Sequence, residues 1–71
     1  MKKRPDGYFG FERRRKWLRG GRIDISLGTK APREAKRLCA ALDLLLERRE
    51  AALIEAVRSG HVGVAEVANA V

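Results

Sequence analysis

The sequence predicts an α+β fold: a small two- or three-stranded antiparallel sheet packed on one long α-helix, with a short C-terminal helix. Apolar and polar residues alternate from Arg22 to Leu27, which is the period of two expected of a half-buried strand. After Pro32, no glycine or proline occurs before Gly60, as is typical of a long helix. Seventy-one residues make one small domain at most.

The junction between strand and helix lies within Arg22–Leu38, RIDISLGTKAPREAKRL. Gly28 ends the predicted strand. Pro32 suits the first helical position because its fixed φ is already helical and its missing N–H is not needed there. Glu34 places a carboxylate in the first turn, at the positive end of the helix dipole. Basic residues flank the junction on both sides: Arg22, Lys30, Arg33, Lys36 and Arg37.

The residues before this junction predict a hairpin. Residues 1–7 are expected to form a flexible basic arm, because Asp6-Gly7 is a strong turn signal and no apolar run precedes it. Tyr8–Glu12 is expected to be a short strand. Its Phe9 and Phe11 would face the apolar side of the strand that follows.

Two registers are open for the basic run that comes next. Residues 13–19 can continue as a strand up to a two-residue turn at Gly20-Gly21. That register sets Lys16 beside the apolar face. Alternatively, the first strand ends at Arg14 and residues 15–21 form a basic loop. We prefer the second register because the apolar faces then match.

The helix is expected to span Pro32–Arg58, 27 residues and roughly 40 Å. Apolar residues at spacings of three and four would pack under the hairpin: Ala35, Leu38, Cys39, Leu42, Leu45 and Leu46. A hairpin covers only part of such a helix. Leu53, Ile54 and Val57 therefore lack a partner within the chain, and we expect self-association or a neighbouring domain to cover them.

The chain is thus divided into three segments. Residues 1–7 are the flexible arm, and residues 8–60 are the hairpin and the long helix. Residues 61–71 are a linker and the start of a second helical segment, which could open a further domain.

The charge is strongly asymmetric. The chain has 16 Lys and Arg against 9 Asp and Glu, and residues 1–37 alone hold 13 basic and 4 acidic side chains. One basic end indicates a polyanionic partner, since a merely solubilising surface would mix the two signs. Cys39 is the only cysteine, and the sequence has no apolar run long enough for a membrane span. We therefore expect a cytoplasmic protein without membrane contact.

No constellation for catalysis is recognisable. His61 is a lone linker histidine beside a glycine, and neither phosphate-loop nor dinucleotide-binding motifs occur. Ser26 and Ser59 have no base nearby in the sequence that could activate them. The expectation is a non-catalytic region that binds no metal and no cofactor.

The remaining chemistry lies between Arg13 and Arg22, where six of ten residues are basic and Trp17 is among them. Arginine binds phosphates and guanine edges through a planar fork of donors, and a narrow β-ribbon can enter the DNA major groove. Trp17 could stack on a base or complete the core. The predicted contacts to double-stranded DNA are Arg13, Arg14, Arg15, Lys16, Trp17, Arg19, Arg22, Asp24, Ser26 and Lys30, with the first four on phosphates and the strand residues Arg22, Asp24 and Ser26 on bases.

This order of motifs resembles the N-terminal arm-type DNA-binding region of phage integrases, which are tyrosine recombinases. The resemblance covers about residues 7–58 and is carried by four segments: Tyr8-Phe9-Gly10-Phe11, Arg13-Arg14-Arg15, Ile23–Thr29 and Arg33–Leu38 (REAKRL). It implies a small sheet on one helix, with the sheet docked in DNA. Helical core-binding and catalytic domains normally follow in that family. The catalytic arginines, histidines and tyrosine nucleophile of whole integrases have no counterpart here.

Two other functions remain open from the sequence. The first is a protein-interaction module that oligomerises through the long helix, with the basic arm only aiding solubility. The second is binding of single-stranded RNA, for which Tyr8 or Trp17 could supply stacking surfaces.

Overall fold

The computed structural model describes residues 2–70 and has the α+β fold that the sequence predicts. Three antiparallel strands form one sheet in the order β1-β2-β3. The strands are β1 (Lys2–Lys3), β2 (Phe9–Arg14) and β3 (Arg22–Ser26). The helices are α1 (Pro32–Glu47), α2 (Ala51–Ser59) and α3 (Val64–Ala70).

The β2–β3 hairpin has the preferred register, with a loop over residues 15–21. Phe11 lies opposite Ile25, and Arg14 lies opposite Arg22. Phe11 is fully buried and Ile23 is nearly so, because the apolar faces of both strands meet the helices. The register with a Gly20-Gly21 turn between long strands is wrong.

The third strand comes from the segment that was expected to be a flexible arm. Lys2 pairs with Gly10, and Lys3 pairs with Phe9. The turn that follows is fixed by backbone bonds, in which Arg4 N donates to Tyr8 O at 2.7 Å and Gly7 N donates to Arg4 O at 2.9 Å. Gly7 takes a positive φ of 89°, which its lack of a Cβ allows. The arm is therefore part of the sheet.

Helix α1 begins as predicted, with Pro32 in the first turn and Glu34 close behind it. Its apolar side packs under the sheet and forms the centre of the core together with Phe11 and Ile23. The buried residues of this helix are Ala35, Leu38, Cys39, Ala41, Leu42, Leu45 and Leu46.

The prediction of a single helix over Pro32–Arg58 is wrong, because α1 ends at Glu47 and α2 begins at Ala51. Arg49 adopts a left-handed conformation with φ of 52°. Its N–H donates to Leu46 O, and the N–H of Glu50 donates to Leu45 O, both at 3.1 Å. This pair of bonds is the Schellman motif that commonly ends a helix, formed here with arginine where glycine is usual.

The break turns α2 back onto the core. Ile54 is 1% exposed and Val57 is 6% exposed, while Leu53 is half-buried against the same core. The prediction that these three residues need a partner from outside the chain is therefore wrong. Gly60, with φ of 86°, ends α2 at the predicted stop.

Residues 61–71 were expected to be a linker and the start of a second helical segment. Helix α3 is present, but it packs along α1 and buries Val67 in the common core. Among residues 2–70, no helix combines the length and the apolar character that crossing a membrane requires.

Candidate nucleic-acid interface

The loop of residues 15–21 joins β2 to β3 and is closed by its own backbone bonds. Arg15 N donates to Gly21 O at 3.1 Å, and Gly21 N donates to Leu18 O at 2.8 Å. Gly20 and Gly21 both have positive φ values, 74° and 76°, which this tight path requires. Leu18 is buried and anchors the loop to the core. The loop thus has a defined shape that positions its charged side chains.

Trp17 lies half-buried and packs against the core beside the anchor. Of the two roles that the sequence leaves open for it, the structure supports the one in the core. Its contribution to the loop is apolar packing.

Four cations of the hairpin end are exposed: Arg14, Arg15, Lys16 and Arg19. Among residues 2–70, no carboxylate oxygen lies within 4.0 Å of their side-chain nitrogens. Arg15 Nη1 donates only to the carbonyl of Arg14, at 2.7 Å. Their positive charge therefore faces solvent without a counterion from residues 2–70, and it is available to an anionic partner.

Arg13 differs from its neighbours because it lies on the opposite face of β2, toward α1. Its Nε and Nη2 donate to the two carboxylate oxygens of Asp43 at 3.0 and 3.2 Å. The guanidinium also lies 4.6 Å from the ring centroid of Phe11. Arg13 was predicted to contact phosphate, but in the structure its guanidinium contacts Asp43 and Phe11.

Arg58 is a residue that the sequence analysis missed. From the last turn of α2, its Nη1 donates to Arg19 O at 3.0 Å and its Nη2 donates to Arg22 O. Glu55 holds the same guanidinium at 3.3 Å. Both acceptors belong to the hairpin end, so Arg58 ties the basic loop to the helices. No local signal in the sequence marked this contact.

The outer face of the sheet points away from the helices and carries polar side chains. In its centre Glu12 lies directly opposite Asp24, and Arg14 lies opposite Arg22 in the next row. Arg4 Nη2 contacts Asp24 Oδ1 at 2.9 Å from the β1 side. A shallow depression of about 360 Å³ lies on this face, and Arg4, Glu12 and Asp24 are among the residues that line it.

Ser26 and Lys30 lie at the far end of the sheet from the loop. Ser26 Oγ accepts a bond from Gly28 N at 3.3 Å. Lys30 Nζ lies 4.8 Å from the ring centroid of Tyr8, whose residue is 37% exposed. The structure therefore distributes the predicted contacts over the loop end, the centre at Asp24 and the far end of one surface, with Arg13 and Trp17 turned inward.

The shifted titrations lie outside this surface. Burial raises the pKa of the Cys39 thiol, and a hydrogen bond from Arg37 lowers the pKa of the exposed Glu34 carboxyl. Residues 2–70 contain no group of three or more His, Cys, Asp or Glu side chains that could hold a metal ion. Ser59 Oγ and His61 Nδ1 lie 2.6 Å apart in an exposed turn.

Comparison of the chain with protein-family models, with curated proteins and with solved structures gave no match.

Proposed function

We propose that this chain is a non-catalytic module that binds double-stranded DNA with sequence specificity, as the N-terminal region of a phage-type integrase does. The outer face of the sheet would enter the major groove, and the hairpin end would hold phosphates. The observation that carries the proposal is the group of four exposed cations that form no ion pair within the described part of the chain: Arg14, Arg15, Lys16 and Arg19. The role within a recombinase rests on the sequence resemblance, and a place in the cytoplasm rests on the single cysteine and the lack of a membrane-spanning run in the sequence.

The dimensions of the sheet support this proposal. Three strands spaced about 4.8 Å apart span roughly 10 Å between the outer axes. The major groove of B-DNA is about 12 Å wide. A three-stranded sheet can therefore lie in the groove with its outer face toward the base edges, while the loop beyond the strands reaches the phosphates.

The anchored loop supports it further. Backbone bonds, the buried Leu18 and the contact from Arg58 hold the loop in a defined conformation. Cations on a fixed loop lose less conformational freedom on binding than cations on a flexible arm. Phosphate contacts of this kind set the position and register of a protein on the duplex.

The experiment is a pair of charge-matched triple variants. One changes Arg15, Lys16 and Arg19 to alanine in the loop. The control changes three exposed cations of the helical side that also lack a carboxylate within 4.0 Å among residues 2–70: Arg33, Lys36 and Arg48. Affinity for a mixed-sequence 30-base-pair duplex is measured by fluorescence anisotropy from 50 to 300 mM salt.

The loop variant should bind all duplexes more weakly, and the slope of log K against log salt should fall by about 2 to 3. The control should keep most of the slope, because its cations lie away from the proposed contact. Equal slopes in the two variants would contradict the assigned face. Absence of wild-type binding at 50 mM salt would contradict DNA binding altogether.

Of the other two functions, oligomerisation has lost its main support, while RNA binding keeps the exposed Tyr8. Oligomerisation through the helix rested on Leu53, Ile54 and Val57 lacking partners, and the chain itself covers them. Stacking on single-stranded RNA rested on two aromatic residues, of which Trp17 packs against the core. An unlabelled single-stranded RNA competitor in the same assay tests that possibility directly.

A further inference from the structure

Two carboxylates occupy the centre of a surface whose ends are basic. Glu12 and Asp24 are direct cross-strand partners on the outer face. Cations lie on both sides of them along the strands: Lys2 and Arg4 at one end, and Arg14, Arg22 and the loop at the other. These two carboxylates would repel phosphates at the centre of the surface. The centre must therefore face groups that can donate hydrogen bonds.

The two carboxylates are held differently. Asp24 is engaged by Arg4 at 2.9 Å, and the Arg4 side chain reaches it by crossing Gly10, where an added Cβ would lie 2.8 Å from Arg4 Nε. Arg22 lies equally far from both carboxylates, with 3.7 Å from Nη1 to Glu12 Oε2 and 3.7 Å from Nη2 to Asp24 Oδ2, and both distances are longer than a hydrogen bond. The Arg22 side chain is 54% exposed. Glu12 and Arg22 therefore keep most of their hydrogen-bonding capacity for a partner.

The chemistry of that partner follows from the groups available in the major groove. An ionised carboxylate only accepts hydrogen bonds, and the characteristic donor for it there is the N4 amino group of cytosine. Arginine pairs with guanine through O6 and N7. A G·C base pair offers the cytosine amino group and the guanine acceptors on one major-groove edge. Glu12 and Arg22 are neighbouring side chains on the outer face, so the two could contact the same base pair.

Resting on the proposed function, we infer that Glu12 and Arg22 read a G·C base pair, with Glu12 on cytosine N4 and Arg22 on guanine. Arg4 and Asp24 are positioning residues, because Arg4 holds Asp24 through Oδ1 while Asp24 Oδ2 lies 3.7 Å from Arg22 Nη2, which keeps the Arg22 guanidinium beside Glu12. This assignment gives the face a preference for sequence in addition to its attraction for phosphate.

The experiment is selection from a pool of random duplexes, followed by sequencing. The wild-type protein should enrich a G·C pair at one position by roughly 5- to 150-fold. Glu12→Gln should lose that cytosine or exchange it for adenine, since glutamine pairs with adenine N6 and N7. It should bind the unselected pool at least as tightly as the wild type, because a negative charge has been removed.

Two further variants separate reading from structure. Glu47→Gln removes the same charge from an exposed position on α1 that has no ion pair among residues 2–70, and it should select the wild-type sequence. Arg22→Lys keeps the charge but loses the planar fork, so the salt slope should persist while the guanine preference falls. Thermal melting of all variants should match the wild type.

The outcomes distinguish this inference from the proposed function. If Glu12→Gln selects the same bases as the wild type, or the wild type selects no G·C position, the inference is overturned while duplex binding stands. If the wild-type protein retains no duplex from the pool at 50 mM salt, both are overturned.

Discussion

Replacing Arg13 by alanine removes three contacts, one to Asp43 of α1 and two to Phe11 and Glu12 of β2. The ion pair with Asp43 joins side chains that are 29% and 40% exposed, so solvent screens it and it contributes about 0.2–1 kcal/mol. The cation–π contact with Phe11 adds about 0.5–1 kcal/mol. The bond from Nη1 to Glu12 O, at 2.7 Å, is partly replaced by water. We expect a loss of about 1–2 kcal/mol of unfolding free energy, with Tm lowered by roughly 4–8 °C for each kcal/mol.

The assay is urea unfolding at pH 7, followed by the fluorescence of Trp17, whose half-buried ring reports the transition. Arg14→Ala is the matched control, because Arg14 is the next residue along β2 and points to the opposite, solvent-facing side. Its unfolding free energy should stay within about 0.5 kcal/mol of the wild type. A double-mutant cycle with Asp43→Asn should give a coupling energy of about 0.5–1 kcal/mol.

The salt dependence of DNA binding tests whether Arg13 contacts phosphate. Measured well below its Tm, Arg13→Ala should keep the wild-type salt slope, whereas Arg15→Ala should lower the slope by about one. If Arg13→Ala lowers the slope as Arg15→Ala does while its unfolding free energy matches the wild type, then Arg13 contacts phosphate, and the contacts to Asp43 and Phe11 add little stability.

Two more predictions concern the helices. Arg49→Gly should raise the unfolding free energy by about 0.5–1 kcal/mol in the same urea assay, because glycine adopts the left-handed conformation without the steric cost of a side chain; a loss of stability would contradict the Schellman assignment. Cys39 is buried and its thiol pKa is raised. It should therefore react with a thiol-specific reagent at pH 8 at least 100-fold more slowly in the folded protein than in 6 M guanidinium. Comparable rates would count against its placement in the core.

The elements that the sequence predicted correctly are those with strong local signals. Alternation located β3, Pro32 located the start of α1, and Gly60 located the end of α2. The hairpin register followed from matching the apolar faces of Phe11 and Ile25. In each of these cases the local backbone preference and the burial pattern predict the same structure.

The structure differs from the sequence prediction at Arg13 and at the N-terminal strand. Phe9, Phe11 and Arg13 occupy alternate positions, so the period of two already places Arg13 on the inward face of β2. The run of three arginines suggested one shared role and concealed this alternation. Lys2 and Lys3 carry no strand signal of their own, and β1 forms because the turn at Gly7 returns the chain beside β2.

The helix break is the case in which tertiary structure overrides propensity. Residues 47–50 are Glu-Arg-Arg-Glu, all acceptable in a helix, and no glycine or proline marks an end. A straight helix would leave Ile54 and Val57 in water. Burying side chains of this size is worth about 1.5–3 kcal/mol each, which exceeds the roughly 1–2 kcal/mol cost of one left-handed arginine.

The break also determines the shape of the candidate DNA-binding end. Because α2 turns back at Arg49, its last turn lies beside the hairpin loop, where Arg58 donates to the carbonyls of Arg19 and Arg22. A continuous helix would carry Arg58 away from the sheet and leave that loop without its contact to the helices. The apolar residues of α2 are thus core residues, and their burial places the guanidinium that fixes the basic loop. The charge of the hairpin end and the packing of the C-terminal half are therefore linked through one backbone turn.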